Sequence, residues 1–78
     1  MRKRAKPDIR VRFGSAVKDR REALGLTQEE FAERAGIHRT YLSDIERGTR
    51  NVSLLNIERV ASALSLTVSE LFRLAERS

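Results

Sequence analysis

The chain lacks the residues that form covalent cross-links and most metal sites: its 78 residues include no cysteine, no tryptophan and one histidine. Without cysteine it forms neither a disulfide nor a thiolate metal site, which fits a reducing compartment, so we expect a cytoplasmic protein. No apolar run approaches the roughly 18 residues of a membrane span, and the charged N-terminus has no apolar segment like that of a signal peptide. We expect no metal, no cofactor, no small-molecule ligand and no membrane contact.

The charge of the chain is unevenly distributed. Its net charge of +5 comes from 16 basic and 11 acidic residues. Residues 1–12 contain six basic residues and one acidic residue, so they carry the whole excess and leave ten of each sign in the rest of the chain. Residues 1–8 are predicted to form a flexible basic arm that contacts phosphates or a groove, unless they are only a solubilising tail. Residues 9–78 are predicted to form one small domain.

Capping residues divide this domain into five predicted helices, and no segment shows the alternation of a strand. The N-terminal signals are N-caps and capping boxes: Asp8, Thr27 with Glu30, Ser53, and Thr67 with Glu70. The C-terminal signals are glycines that suit a positive φ: Gly25, Gly36 and Gly48. We therefore predict an all-α fold, a compact five-helix bundle whose third helix begins at His38.

Apolar residues at helical spacing define the predicted core. In chain order they are Phe13, Ala16, Val17, Leu24, Phe31, Ala32, Ala35, Ile37, Leu42, Ile45, Leu54, Ile57, Val60, Ala61 and Leu64. The fourth and fifth helices carry more apolar surface than one small core needs, which often marks an interface. We predict a C2 homodimer formed by the C-terminal helix and its neighbour, although single exposed leucines are also normal on a monomer. The predicted interface residues are Leu55, Leu71, Phe72 and Leu74.

Residues 26–51 hold two short predicted helices separated by a glycine, and read LTQEEFAERAGIHRTYLSDIERGTRN. Thr27 opens the first helix, Gly36 breaks it, and the second covers about residues 38–47. This spacing is typical of a helix-turn-helix, whose second helix can lie in the major groove of DNA. Because Leu42 and Ile45 face inward, the opposite face is polar and consists of Arg39, Thr40, Ser43, Asp44 and Arg47.

These polar side chains suit the edges of bases. Arginine can fork onto guanine O6 and N7, aspartate can accept from cytosine N4, and threonine can contact thymine. Arg39 is the strongest candidate, because recognition helices present their N-terminal residues to the bases. Gln28, in the first turn of the preceding helix, is predicted to grip a phosphate, and Arg50 and Asn51 to hold a second phosphate or reach a base. The alternatives are a solvated helix face and ordinary loop residues.

The same residues resemble a known family. The segment from Thr27 to Gly36, followed by RTYLSDIERG at residues 39–48, is similar to the lambda-repressor/Cro-like helix-turn-helix regulators, and the similarity extends over about residues 13–72. The stretch Arg39-Thr40-Tyr41, with Arg50-Asn51 and Ser53, resembles the controller proteins of restriction–modification systems. Those are small homodimers that bind operators and time expression of the endonuclease.

The resemblance implies a role for each matching position. Gln28 matches the phosphate clamp, and Arg21 with Glu46 matches an ion pair that ties the first helix to the third. His38 falls at a variable position of the family, where it would cap the third helix and could donate to a phosphate. The matching DNA contacts are Arg39, Thr40, Ser43 and Asp44 on the recognition helix, and Arg50 and Asn51 after it.

These observations together predict a homodimeric, sequence-specific transcription regulator that binds double-stranded DNA at a palindromic operator. We do not expect an enzyme, because His38 and Ser43 lie about 140° apart around one helix and no glycine-rich phosphate loop is present. The alternative is an antitoxin or another protein-interaction module of the same fold, since fold alone does not decide function.

Overall fold

The computed structural model describes residues 6–77, which form five helices and contain no strand. In chain order the helices are α1 (Ile9–Ala23), α2 (Gln28–Ala35), α3 (Arg39–Arg47), α4 (Leu54–Ala63) and α5 (Val68–Arg77). The predicted all-α, five-helix fold is therefore confirmed. Most of the predicted basic arm, residues 1–5, lies outside the described residues, as does residue 78.

Local hydrogen bonds start the helices where the capping signals predict. The Asp8 carboxylate accepts from the backbone N–H of Arg10 at 2.8 Å, and both predicted capping boxes form. His38 differs, because it occupies the N-cap position of α3 while its side chain makes no capping hydrogen bond. The prediction that His38 caps α3 is thus wrong for its side chain. Gly36 ends α2 in the left-handed conformation at φ 74°, which turns the chain into α3.

The core lies between the five helices: α1 packs on α3 and α5, α2 packs on α3 and α4, and α4 packs on α5. Most of the predicted core residues are buried there. Two predictions are wrong. Leu54, the first residue of α4, is 84% exposed, and Leu24, which follows the last residue of α1, is 38% exposed. Leu71 is completely buried in the core of its own chain, so its side chain has no surface left to contact a second subunit. Its assignment to a dimer interface is corrected.

Helix α1 packs directly onto the backbone of α3. A Cβ atom at Gly14 would lie 2.1 Å from the carbonyl oxygen of Ile45, closer than any side chain can approach. The absence of a side chain at Gly14 therefore allows the contact that fixes α3 against α1. On the same helix, the ring of Phe13 lies 5.4 Å from that of Phe72, which joins α1 to α5. Helix α3 thus packs against α1 and α2 through its buried side, and its polar side faces outward.

Candidate nucleic-acid interface

A buried ion pair links α1 to α3. Arg21 is 7% exposed, and its Nε and Nη2 donate to the two carboxylate oxygens of Glu46 at 2.7 and 3.0 Å. The hydrogen bonds and charge of Glu46 raise the pKa of Arg21 above its ordinary value. Arg21 also donates from Nη1 to the carbonyl oxygen of Leu26 at 2.7 Å. One side chain therefore joins α1, the α1–α2 turn and α3.

The ion pair continues to the surface through Gln28. The amide nitrogen of Gln28 donates to Glu46 at 3.0 Å, and its amide oxygen accepts from Arg39 Nη1 at 3.3 Å. Gln28 is the first residue of α2 and Arg39 is the first residue of α3, so these contacts join the starts of both helices. The structure thus brings together the predicted phosphate clamp and the strongest predicted base reader, with Glu46 behind them.

A second group of contacts lies at the end of α3. Arg47 donates to the carboxylate of Asp44 and to the hydroxyl of Ser43, the latter at 2.9 Å. Arg50 donates from Nη2 to the other oxygen of Asp44 at 2.9 Å. Asp44 therefore lies between two cations, and its side chain is 19% exposed, against 61% for Arg47 and 47% for Arg50.

A surface cleft of about 680 Å³ connects the turn before α3 with the loop after it. Its lining includes His38, Thr40, Arg50 and Asn51, all of which are exposed. Arg39 and Arg47, the first and last residues of α3, are exposed as well. We call this group of residues the α3 face and define it as Gln28, residues 38–40, Ser43, Asp44, Arg47, Arg50 and Asn51.

Tyr41 supports the α3 face, a role that its position in the sequence did not predict. The guanidinium carbon of Arg50 lies 4.9 Å from the centre of the Tyr41 ring, within the range of a cation–π contact. The Tyr41 hydroxyl accepts from Asn56 Nδ2 of α4 at 3.1 Å. An aromatic residue within the predicted third helix was the available signal in the sequence, but its partners Arg50 and Asn56 lie outside that helix.

The predicted dimer residues do not form one patch. Leu55 is 56% exposed beside the more exposed Leu54 at the start of α4. Phe72 packs against Phe13 in one shallow cleft, while Leu74 lines another beside α1. Among the described residues, Leu54 and Leu55 are the most exposed large apolar side chains, and Ile9, Val11, Leu24 and Val68 are 37–43% exposed.

Two other kinds of site receive no support from residues 6–77. That part of the chain contains no group of three or more histidine, cysteine, aspartate or glutamate residues that could hold a metal ion. None of its helices is long and apolar enough to cross a membrane.

A family model described as helix-turn-helix matches residues 17–71, which include α2, the turn at Gly36 and α3. The chain belongs to this helix-turn-helix family. Its helix-turn-helix unit is α2 and α3, and the α3 face includes the outward side of that unit.

Several characterised proteins are similar to this helix-turn-helix chain. The control protein C.MunI of a Mycoplasma species is 50% identical over 66 residues, which cover 83% of this chain and 89% of that protein. The restriction-modification controller protein C.AhdI from Aeromonas hydrophila superposes with a TM-score of 0.78 at 46% identity, covering 81% of this chain and 96% of that one. The biofilm regulator SinR, solved in complex with DNA, superposes with a TM-score of 0.72 at 36% identity, covering 77% of this chain and 97% of that one.

Proposed function

We propose that the chain is a transcription regulator that binds double-stranded DNA sequence-specifically as a homodimer, and that it is a restriction–modification controller. The proposal places the outward residues of α3 in the major groove and Gln28, at the start of α2, against the phosphate backbone. It includes no catalytic role. A regulator of this kind acts where the chromosome lies, so its place would be the cytoplasm.

The observation that carries the proposal is the contact between Gln28 and Arg39. Their hydrogen bond joins the first residue of α2 to the first residue of α3. A side chain suited to a phosphate therefore lies beside one suited to guanine, and the separation between them is set within the free protein. The similarity to C.MunI and C.AhdI, which are named as control and controller proteins, supports the same class.

Leu54 and Leu55 support the homodimer. They are adjacent, 84% and 56% exposed, and they lie on α4, outside the α3 face. Burying two leucines against their copies would remove apolar surface from water, and a two-fold axis would relate the two α3 faces by the symmetry of a palindromic operator. We therefore move the centre of the proposed interface from α5 to the first turn of α4.

Selection of binding sites from a random duplex pool at a stated salt concentration tests the proposed function. We expect a palindrome whose half-sites are centred about 34–36 Å apart, one turn of the double helix. A pool that shows no enrichment would contradict sequence-specific binding and would favour the protein-interaction module. An enriched single half-site without symmetry would contradict the homodimer alone.

The role of Arg39 is tested on the selected operator. Arg39→Ala should weaken operator binding by about 1–3 kcal/mol and relax base preference at one position of each half-site. The matched control is Arg73→Ala, which removes the same charge from an exposed position on α5. If Arg39→Ala and Arg73→Ala lose the same operator affinity, Arg39 contributes only charge. The same conclusion follows if Arg39→Ala weakens binding to random duplex as much as binding to the operator.

The dimer is tested by light scattering. Leu55→Glu should shift the measured mass towards the monomer, because a buried carboxylate facing its own copy is strongly unfavourable. Leu24→Glu is the control, since Leu24 is also exposed but lies at the end of α1. A wild-type chain that is monomeric at micromolar concentration would contradict the proposed dimer.

A further inference from the structure

We propose that Asp44 is a positioning residue, which orients Arg47 and Arg50 for DNA and does not read a base itself. This inference rests on the proposed function, because it assigns the two arginines to the DNA-binding surface. It differs from the sequence prediction, which gave the Asp44 carboxylate the role of accepting a hydrogen bond from cytosine.

The position of the carboxylate is the first argument. Oδ1 of Asp44 accepts from Arg47, and Oδ2 accepts from Arg50 at 2.9 Å. The Asp44 side chain is 19% exposed, while those of Arg47 and Arg50 are 61% and 47% exposed. A duplex that approaches this surface would therefore meet the two guanidinium groups before the carboxylate.

Each arginine is also held by a second contact. Arg47 donates from Nη1 to the Ser43 hydroxyl at 2.9 Å. The guanidinium of Arg50 lies over the ring of Tyr41, whose hydroxyl is bonded to Asn56 of α4. Two contacts in different directions restrict the rotamers of a long side chain, so less conformational freedom remains to be lost when DNA binds.

This restriction favours specific over random DNA. A held guanidinium can satisfy an acceptor pair only at one place, such as O6 and N7 of a guanine at the matching position. A released guanidinium can swing to a phosphate, and phosphates are present beside every base pair. Asp44 therefore raises the ratio of operator affinity to random-duplex affinity by limiting where Arg47 and Arg50 can bind.

The test compares Asp44→Asn with the wild-type chain on the operator and on random duplex across a salt series. We expect operator affinity to fall roughly 2- to 10-fold from lost orientation. Random-duplex affinity should rise, and its logarithmic salt slope should steepen by about 0.9 for each phosphate that a released arginine reaches. Asp44→Glu keeps the charge and should recover most of the ratio.

Two controls separate positioning from charge and from direct reading. Glu29→Gln removes one negative charge from an exposed position near Gln28 and should leave the ratio unchanged. In a chain carrying Arg47→Ala and Arg50→Ala, Asp44→Asn should have no further effect on the ratio. If the ratio still falls in that background, Asp44 contacts DNA itself and the proposal is overturned.

The order of the Arg47 and Arg50 side chains in the free protein can be measured without DNA. Asp44→Asn should lower the NMR order parameters of the Arg47 and Arg50 Nε–H groups, while those of Arg73 on α5 stay the same. Unchanged order at both arginines would overturn the positioning role. A wild-type chain that does not distinguish operator from random duplex would overturn the proposed function as well, whereas a selective wild type whose ratio survives Asp44→Asn would overturn only the role of Asp44.

Discussion

Replacing Arg21 by methionine should remove much of the stability of the fold. Arg21 and Glu46 are the two members of a buried ion pair, with 9% and 4% of their side chains exposed. Methionine keeps most of the apolar stem of arginine but leaves the Glu46 carboxylate with Gln28 as its remaining donor. Removing one partner of such a pair costs about 3–5 kcal/mol, because the other charge stays buried without compensation.

The cost is large relative to the whole fold. A chain of 78 residues is expected to have about 4–12 kcal/mol of stability, so Arg21→Met would consume much of it. The measurement is urea unfolding followed by circular dichroism, with Arg10→Met as the control. Arg10 forms an exposed ion pair with Asp8, and its loss should change stability far less. A loss for Arg21→Met no larger than that of the control would refute the reasoning.

A double variant tests the physical cause. Arg21→Met/Glu46→Met should recover at least half of the lost stability, because it removes the orphaned charge together with the pair.

Three other perturbations test the fold and the arm. Gly14→Ala should lower the free energy of unfolding by about 1–3 kcal/mol, measured by thermal unfolding, because its Cβ would meet the Ile45 carbonyl oxygen. The neighbouring control Ser15→Ala should lower it much less. Hydrogen bonds from Arg10 lower the pKa of Asp8 from 3.8 to about 2. The stability from Asp8 is therefore present above pH 4 and lost as the pH falls towards 2, so unfolding scans of Asp8→Ala and wild type should converge there. Removing residues 1–6 should weaken binding to all duplexes and flatten the salt slope, and an unchanged slope would exclude the arm from the interface.

The ends of the helices were largely predictable because the interactions that set them span only a few residues. Thr27 and Glu30 exchange hydrogen bonds at 2.9 and 3.1 Å across three positions, so the residue types and their spacing contain the whole interaction. The exception is His38, whose N-cap position was predictable from the length of the turn while its side chain was not.

Burial at the ends of helices was less predictable. The spacing of apolar residues predicts the direction in which a side chain points, but the burial of that side chain depends on which neighbouring helices reach it. Leu54 points along the apolar side of α4 and remains 84% exposed at its first turn, while Leu71 on α5 is fully buried. Both errors affected the predicted dimer interface, since the sequence placed Leu54 in the core and Leu71 on the surface.

The composition of the α3 face was predictable, but most of its internal contacts were not. The pairing of Asp44 with Arg47 follows from their i, i+3 spacing on one helix. The pairing of Asp44 with Arg50 depends on the loop after α3, which folds back as the backbone N–H and hydroxyl of Thr49 both donate to the Asp44 carbonyl oxygen. Residue types alone therefore suggested a base-reading role for Asp44, although the loop places Arg50 against its carboxylate.

These contacts imply that the domain and the arm bind DNA by different physical means. On the α3 face, Arg39 is bonded to Gln28, and Arg47 and Arg50 share the charge of Asp44. Such a surface presents oriented donors, and its three arginines and one aspartate give it a net charge of 3 − 1 = +2, so its affinity should depend on base sequence as well as on salt. Residues 1–12 carry a larger net charge of 6 − 1 = +5, which would act on any duplex. Selectivity and overall affinity should therefore be separable by mutation, the first through the α3 face and the second through the arm.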